Sequence, residues 1–245
     1  MSHEQHSLFL EVYVMRSRQE IKSIGKQRFI ANYWPCVGVI VVVSLAIGLV
    51  GGILSIPGMI QGMRDGNPDS ASSFSLLSLL IAGPLTIGLN YFFIKNLLGR
   101  VDELSVTTPF TEAFTNYGRK LGGYMWMLLF TLLWGLLFII PGIIKSYSYA
   151  LAPYILADCP NVKAKDALKL SMRIMAGHKW ELFVFHLSFI GWDILSAFTV
   201  GLLGVFFVQP YIYSASACWY LEAREEALRT GVITMAQLEG REDVI

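Results

Sequence analysis

Charged residues are scarce in this chain. Of its 245 residues, only 15% are Asp, Glu, Lys or Arg, whereas 54% are hydrophobic. A soluble domain of ordinary composition carries about 25% charged residues, so a water-soluble globular fold is disfavoured. A lipid bilayer is the expected solvent for most of the chain. The formal net charge of +1 provides no strong positive field, so nucleic acid is not an expected partner.

Motifs for catalysis and for metal binding are also missing. The sequence contains no glycine-rich phosphate loop, serine nucleophile elbow or paired carboxylates, and "HEQH" at residues 3–6 has the wrong spacing for a zinc protease. Cys36, Cys159 and Cys218 lack metal-ligand spacing and are expected to be reduced thiols. We therefore predict no metal and no cofactor, and favour a non-enzymatic protein.

Long apolar runs dominate what is present. They predict an all-α polytopic membrane protein with six transmembrane helices and additional interfacial amphipathic helices. We expect a cytoplasmic N-terminal region with an amphipathic helix at 1–32, a transmembrane domain at 33–221 and a cytoplasmic tail at 222–245. The N-terminal region shows no secretory signal peptide. The six predicted spans are 33–56, 74–98, 121–140, 143–157, 182–200 and 202–221.

The basic residues are unevenly distributed between the predicted loops. An even number of spans places both termini on one side, and 17 of the 19 Lys and Arg residues then share that side, leaving Arg64 and Lys145 on the other. Cytoplasmic loops of membrane proteins carry the excess of Lys and Arg. We therefore predict a multi-pass protein of the cell membrane with cytoplasmic N- and C-termini.

Tryptophans and prolines recur at corresponding places in the predicted spans. The odd-numbered spans open on a Trp and the even-numbered spans contain a Pro, which predicts three repeated helical hairpins with proline kinks. The alternative is that Trp marks the membrane interface and that Pro is common in spanning helices. The residues concerned are Trp34, Trp126 and Trp180, and Pro84, Pro153 and Pro210.

Four stretches of the sequence resemble a known family. They are "IKSIGKQRFIANYW" at 21–34, "LFIIPGIIKSYSYALAPYILAD" at 137–158, "AGHKWELFVFHLSFIGW" at 176–192 and "QPYIYSASACWYLE" at 209–222. Over about residues 18–222 the chain resembles the bacterial integral-membrane family called domain of unknown function 975. The resemblance implies a six-span protein of the bacterial cell membrane and no particular activity. A more distant similarity to the membrane domain attached to some glycerophosphodiester phosphodiesterases suggests lipid or envelope metabolism.

Few polar side chains fall within the predicted spans. His186 and Asp193 are seven residues apart and would share a helix face, while Asn90 is a candidate for an interhelical hydrogen bond. A charged Asp near mid-bilayer costs about 3 kcal/mol on insertion scales, so Asp193 needs a partner or a cavity. Two interpretations remain open: an ion pair between Lys145 and Asp193, or a polar pathway lined by Lys145, His186 and Asp193.

The connector between the fourth and fifth predicted spans forms a basic amphipathic helix at 161–178. Its lysines, together with the interfacial tryptophans, are candidate contacts for lipid headgroups. The residues predicted for this role are Lys163, Lys165, Lys169, Trp34, Trp126 and Trp180.

These patterns lead to three functional hypotheses. The favoured one is a non-enzymatic factor that binds membrane lipids or acts as an accessory in envelope homeostasis. The alternative is a small oligomeric transporter or channel that uses the Asp193, His186 and Lys145 pathway; a lipid-processing enzyme ranks third. Gly48, Gly51 and Gly52 permit close helix approach, either within the bundle or in a homo-oligomer.

Overall fold

Helices form all the regular structure in the residues that the computed structural model describes, which are 15–65, 72–100 and 104–244. The absence of strands from these ranges confirms the all-α prediction. A π-helical segment, Gly204–Val208, directly precedes α11. The α-helices are α1 Arg18–Ala31, α2 Tyr33–Asp65, α3 Ser72–Leu97, α4 Thr108–Phe114, α5 Tyr117–Leu137, α6 Ile139–Tyr149, α7 Ala152–Asp158, α8 Ala164–Ile174, α9 Lys179–Leu187, α10 Ile190–Phe198, α11 Gln209–Arg229 and α12 Met235–Leu238.

Long apolar helices identify a membrane protein. Within the described ranges, four stretches are long and apolar enough to cross a bilayer: Tyr33–Arg64, Ser78–Leu97, Tyr117–Leu137 and Lys179–Phe198. The predicted fourth span is divided between α6 and α7, and the sixth between the π-helical segment and α11. Neither is among these four stretches. The predicted boundary between transmembrane domain and tail, at 221/222, falls inside α11.

The turn between α5 and α6 differs from the predicted one. "PG" at Pro141–Gly142 predicts a turn there, but the chain reverses at Phe138, whose backbone is extended with φ −157° and ψ 137°. Pro141 lies in the first turn of α6, where its missing N–H breaks no helical hydrogen bond. A Cβ on Gly142 would lie 2.6 Å from the Cα of Gly135, so this glycine serves close packing of α5 against α6.

The core lies where the helices adjoin the basic connectors. α1 packs closely on α11. A Cβ on Gly25 would lie only 2.6 Å from the Cα of Ala215, and the Ser214 hydroxyl donates a hydrogen bond to the Gly25 carbonyl oxygen at 2.8 Å. Phe29 of α1 and Phe92 of α3 are fully buried. The apolar face of α1, predicted to lie on the membrane surface, is therefore covered by protein. Residues 1–14 of that predicted N-terminal region lie outside the described residues.

The opposite ends of two hairpins expose large apolar side chains. They include the α5–α6 turn around Phe138 and the turn before the π-helical segment, where Val200 is 92% exposed. In that second turn the N–H groups of residues 199–202 donate to carbonyls within residues 196–199, and the Leu203 N–H donates to the Thr199 hydroxyl at 3.1 Å. The turn satisfies its backbone hydrogen bonds internally and exposes apolar side chains. It can therefore lie in the hydrocarbon of a bilayer.

This turn should be inaccessible to polar reagents. We expect a Val200→Cys thiol to escape labelling by a membrane-impermeant maleimide in intact vesicles, and to react fully after denaturation in detergent. The native background is low because Cys36, Cys159 and Cys218 are buried. Asn67→Cys, in the predicted polar loop outside the described residues, is the accessible control. Equal labelling of the two variants would contradict a turn in hydrocarbon.

Candidate functional site

A groove of about 470 Å³ lies between α5, α6 and α8. Aromatic side chains line it together with three lysines, and we call it the lysine–aromatic groove. From α5 come Trp126, Phe130 and Trp134, from α6 come Lys145 and Tyr149, and from α8 come Lys165, Leu168, Lys169 and Met172.

Helical spacing explains why these side chains converge. The α5 residues recur every four positions, as do Lys145 and Tyr149 on α6, so each set shares one helix face. The rings of Trp126 and Phe130 stack at 5.4 Å between centroids, and Phe130 lies 6.3 Å from Tyr149. Tyr149 and Leu168 are buried with Ala152 in a separate small hydrophobic cluster, which forms an apolar base for the groove.

The lysines of the groove are held by rings more than by carboxylates. Lys145 Nζ lies 5.0 Å from the ring centroid of Trp134, and Lys165 Nζ lies 5.0 Å from that of Trp126. Such cation–π contacts contribute about 0.5–2 kcal/mol. Within the described part of the chain, neither lysine forms an ion pair. Their positive charges therefore remain available to an anionic ligand.

Lys169 and Lys163 contact the C-terminal part of the chain. Lys169 lines the groove but donates to the backbone carbonyl of Val244 at 2.6 Å. Lys163 lies outside the groove lining and pairs with Asp243 at 3.1 Å. The hydrogen bond to Asp243 and its charge raise the pKa of the Lys163 ammonium. Of the three predicted headgroup lysines, Lys165 thus lies over an aromatic ring, Lys169 binds a backbone carbonyl and Lys163 pairs with a carboxylate.

The sequence did not predict a second, partly buried polar cluster. Asp158, at the end of α7, accepts hydrogen bonds from the Tyr220 hydroxyl at 2.9 Å and from Arg224 of α11. The Arg119 guanidinium donates to the carbonyls of Leu156 at 2.7 Å, Cys159 at 3.0 Å and Val162 at 3.0 Å. Cations favour helix C-termini, so Arg119 fixes the end of α7 against α5. The sequence signal for this site is "DCPN" at residues 158–161, which predicts the end of a helix.

Cys159 lies within this cluster and is chemically quiet. Burial raises the pKa of its thiol to about 12. The thiolate is the reactive form of cysteine, so a buried thiol with a raised pKa is a poor nucleophile and a poor metal ligand. The described residues contain no grouping of three or more His, Cys, Asp or Glu that could hold a metal ion.

Comparison with known proteins gives one match. A family model described as "Protein of unknown function (DUF975)" matches residues 123–227. This confirms the resemblance over that segment, which contains every lining residue of the lysine–aromatic groove and also Asp158, Tyr220 and Arg224. α1 to α4 lie outside the match. No curated protein and no solved structure matches the chain.

The matched segment does not bring together the three ionisable residues predicted inside the membrane. His186 lies against the rings of Phe185 and Tyr147, at 5.7 and 5.9 Å between centroids, whereas Lys145 lies over Trp134. Asp193 is exposed on α10, and within the described ranges it forms no ion pair. The predicted Lys145–Asp193 tie is therefore wrong within one chain. The helix ends at Leu187, between His186 and Asp193, so the assumed common face is interrupted.

Asn90 is buried, with 3% of its surface exposed, and its Oδ1 has no hydrogen-bond partner among the described residues. The predicted interhelical bond is thus absent at this oxygen. Of the three prolines predicted to kink helices, Pro84 lies inside α3, and Pro153 lies in the first turn of α7. Pro210 lies in the first turn of α11, directly after the π-helical segment. The proline kinks stay a prediction.

The three tryptophans of the predicted repeat have unlike surroundings. Trp34 is exposed beside Tyr33, Trp126 lines the groove, and Trp180 is exposed and stacks on Phe183 at 5.1 Å. The threefold repeat therefore stays a prediction.

A second, smaller cavity of about 300 Å³ lies near Trp180, where Arg16 pairs with Glu222 at 3.0 Å and His178 with Glu181 at 3.1 Å. Arg16 and His178 at this cavity are thus each paired with a carboxylate.

The clamp formed by Arg119 should contribute measurably to stability. Arg119→Gln removes charge-assisted hydrogen bonds to the α7 carbonyls, and we expect the free energy of unfolding to fall by about 2–3 kcal/mol. Thermal or detergent-induced unfolding of the purified protein measures this change. Arg18→Gln, at an exposed position on α1, should change it by less than about 0.5 kcal/mol. Equal effects of the two substitutions would contradict the clamp.

Proposed function

We propose that the protein binds an anionic membrane lipid in the lysine–aromatic groove, and that it acts as a lipid-binding or accessory factor in envelope homeostasis. One observation carries the proposal: three lysines line a groove whose other described lining residues are aromatic or aliphatic. The ligand that matches such a surface has a negatively charged head and an apolar chain. An anionic phospholipid has this chemistry.

The two parts of the groove suit the two parts of a lipid. An ammonium group is a compact point charge that pairs well with phosphate, and each basic residue near an anionic membrane surface contributes about 1 kcal/mol. The rings of Trp126, Phe130 and Trp134 supply apolar surface for an acyl chain, where each buried methylene contributes about 0.8 kcal/mol. A zwitterionic lipid would use the rings equally well and gain less from the lysines.

The groove's lining favours binding over catalysis. Its described residues include no carboxylate, histidine or thiol, which are the usual groups for acid–base and nucleophilic chemistry. The transporter alternative has less support, because Lys145, His186 and Asp193 have separate surroundings. We therefore advance lipid binding alone.

We further propose six membrane crossings in a bacterial cell membrane, with both termini in the cytoplasm. The support is the distribution of Lys and Arg, with 17 of 19 on one side of the predicted topology. On that topology α8 belongs to a cytoplasmic connector, which brings Lys165 and Lys169 to the cytoplasmic leaflet. That leaflet carries the negative surface potential that attracts basic segments.

The proposal predicts a loss of selectivity when the groove lysines are neutralised. Lys165→Gln should weaken binding of phosphatidylglycerol about fivefold, since about 1 kcal/mol is lost with the charge. Lys145 lies over Trp134, about two helical turns from Trp126, and toward the opposite side on the proposed topology, so Lys145→Gln should weaken binding less. Binding of phosphatidylcholine should stay the same. Native mass spectrometry of protein released from nanodiscs containing both lipids measures the retained lipid.

The matched control is Lys26→Gln. Lys26 is exposed on α1 and outside the groove lining, so its substitution removes one charge without touching the groove. Equal phosphatidylglycerol affinities for Lys145→Gln, Lys165→Gln and Lys26→Gln would refute a specific site. A loss of binding for both lipids in the groove variants would indicate misfolding, which the unfolding assay above would detect.

A further inference from the structure

The chain after α11 folds back over α8. α11 ends at Arg229, and Gly231 takes a positive φ of 69° as the chain reverses. The short helix α12 is held at its start by a capping box between Thr234 and Gln237. Ile233, Leu238 and Val244 are buried in the main hydrophobic core. We call residues 231–244 the C-terminal strap; the predicted charged tail is thus a docked element over these residues.

The strap contacts two lysines, Lys169 of α8 and Lys163, the residue just before α8. Its Val244 carbonyl accepts a hydrogen bond from Lys169 at 2.6 Å, and its Asp243 carboxylate pairs with Lys163 at 3.1 Å. Lys169 is also part of the groove lining. The strap therefore engages, at one end of the groove, a cation that the proposed lipid headgroup would use.

A close backbone contact positions the strap. Gly240 has a φ of 69°, and a Cβ there would lie 2.5 Å from the carbonyl oxygen of Asn161 and 2.8 Å from its carbonyl carbon. Asn161 lies in the connector just before α8. Glycine is the residue that accepts both the positive φ and the close approach. Gly240 is thus a point at which docking can be altered without changing a charge.

We infer that the C-terminal strap is an autoinhibitory contact that competes with anionic lipid for Lys169 of α8. The inference rests on the proposed lipid-binding function. A phosphate oxygen and the Val244 carbonyl oxygen are alternative acceptors for Lys169, and the carboxylate of Asp243 repels an approaching phosphate. Docking of the strap lowers lipid affinity, and by thermodynamic linkage lipid binding weakens docking by the same factor.

The strap also carries the charge expected of a competitor for basic residues. Residues 231–244 contain Glu239, Glu242 and Asp243 against a single Arg241. Thr234 holds Glu242 through a hydrogen bond of 2.9 Å, and Arg241 pairs with Glu239. Asp243 is the carboxylate of this set that faces α8, through Lys163.

Two glycine substitutions separate strap docking from backbone strain. Gly240→Ala places a Cβ against Asn161, whereas Gly231→Ala has the same φ of 69° and no described atom within 4 Å of the added Cβ. Gly240→Ala should therefore release the strap, bind phosphatidylglycerol about fivefold more tightly, since one lysine is freed, and leave phosphatidylcholine binding unchanged. Gly231→Ala should change phosphatidylglycerol affinity by less than about twofold. Amide hydrogen exchange over residues 232–244 reports whether the strap has left α8.

The unmodified chain allows a second test, which does not depend on whether a variant folds. In nanodiscs, phosphatidylglycerol should speed amide exchange over residues 232–244 relative to phosphatidylcholine alone. Unchanged exchange, with phosphatidylglycerol bound, would overturn the inference while the proposed function stands. Released strap in Gly240→Ala without tighter lipid binding would overturn it as well. If the unmodified chain and Gly240→Ala both fail to prefer phosphatidylglycerol, the proposed function itself fails.

Discussion

The contact between Gly135 and Gly142 is the constraint on which the groove depends. Because neither residue has a side chain, α5 and α6 approach each other closely, and the chain reverses through the single residue Phe138. The resulting antiparallel register places Trp134 beside Lys145 and, one helical turn further from the turn, Phe130 beside Tyr149. A longer loop or a larger residue at Gly142 would move these pairs apart, because a Cβ on Gly142 would lie 2.6 Å from the Cα of Gly135. The groove is therefore a consequence of the hairpin geometry, with α8 closing its remaining side.

The charges of the protein differ sharply in how they are compensated. Asp158, Arg224 and Tyr220 form a closed cluster, and Arg119 is consumed by the carbonyls at the end of α7. These groups stabilise the junction of α5, α7 and α11. The lysines of the groove are different, since rings hold Lys145 and Lys165. A cation held by a ring still attracts an anion, so the uncompensated charge is concentrated where apolar walls would admit a lipid chain.

Hydropathy and composition predicted the helical class and the membrane environment, because both follow from local sequence. The same information identified Lys145, Lys165, Lys169 and Trp126 one at a time by residue type. Their convergence could not be predicted, since it depends on where α5 reverses, and the "PG" pair indicated the wrong residue. The Lys145–Asp193 tie failed for a related reason. A helix break between His186 and Asp193 changes the face on which Asp193 lies, and periodicity alone does not reveal such a break.

Glycine patterns were equally ambiguous. The run "GLVGG" predicts close packing, yet Gly48, Gly51 and Gly52 have no described atom within 4 Å of an added Cβ. Within one chain the packing interpretation is therefore wrong for these three, and a homo-oligomer contact stays a prediction. Close approaches occur instead at single glycines outside that run, among them Gly25 on Ala215 and Gly142 on Gly135. The partner helix decides the role of a glycine, and the partner is set by the tertiary fold.

Burial is concentrated at the connector ends of the helices, and the lysine–aromatic groove lies at the border between this packed region and the exposed apolar turn around Phe138. A lipid bound there would cover part of the surface that packing leaves open. A ligand that binds the folded state adds stability that grows with its concentration relative to its dissociation constant. The strap makes a smaller version of the same contribution, because its buried Val244 and its bond to Lys169 also cover this border. On the proposed function, lipid and strap would stabilise the same part of the fold through one shared lysine, Lys169, so that occupation by one would weaken the binding of the other.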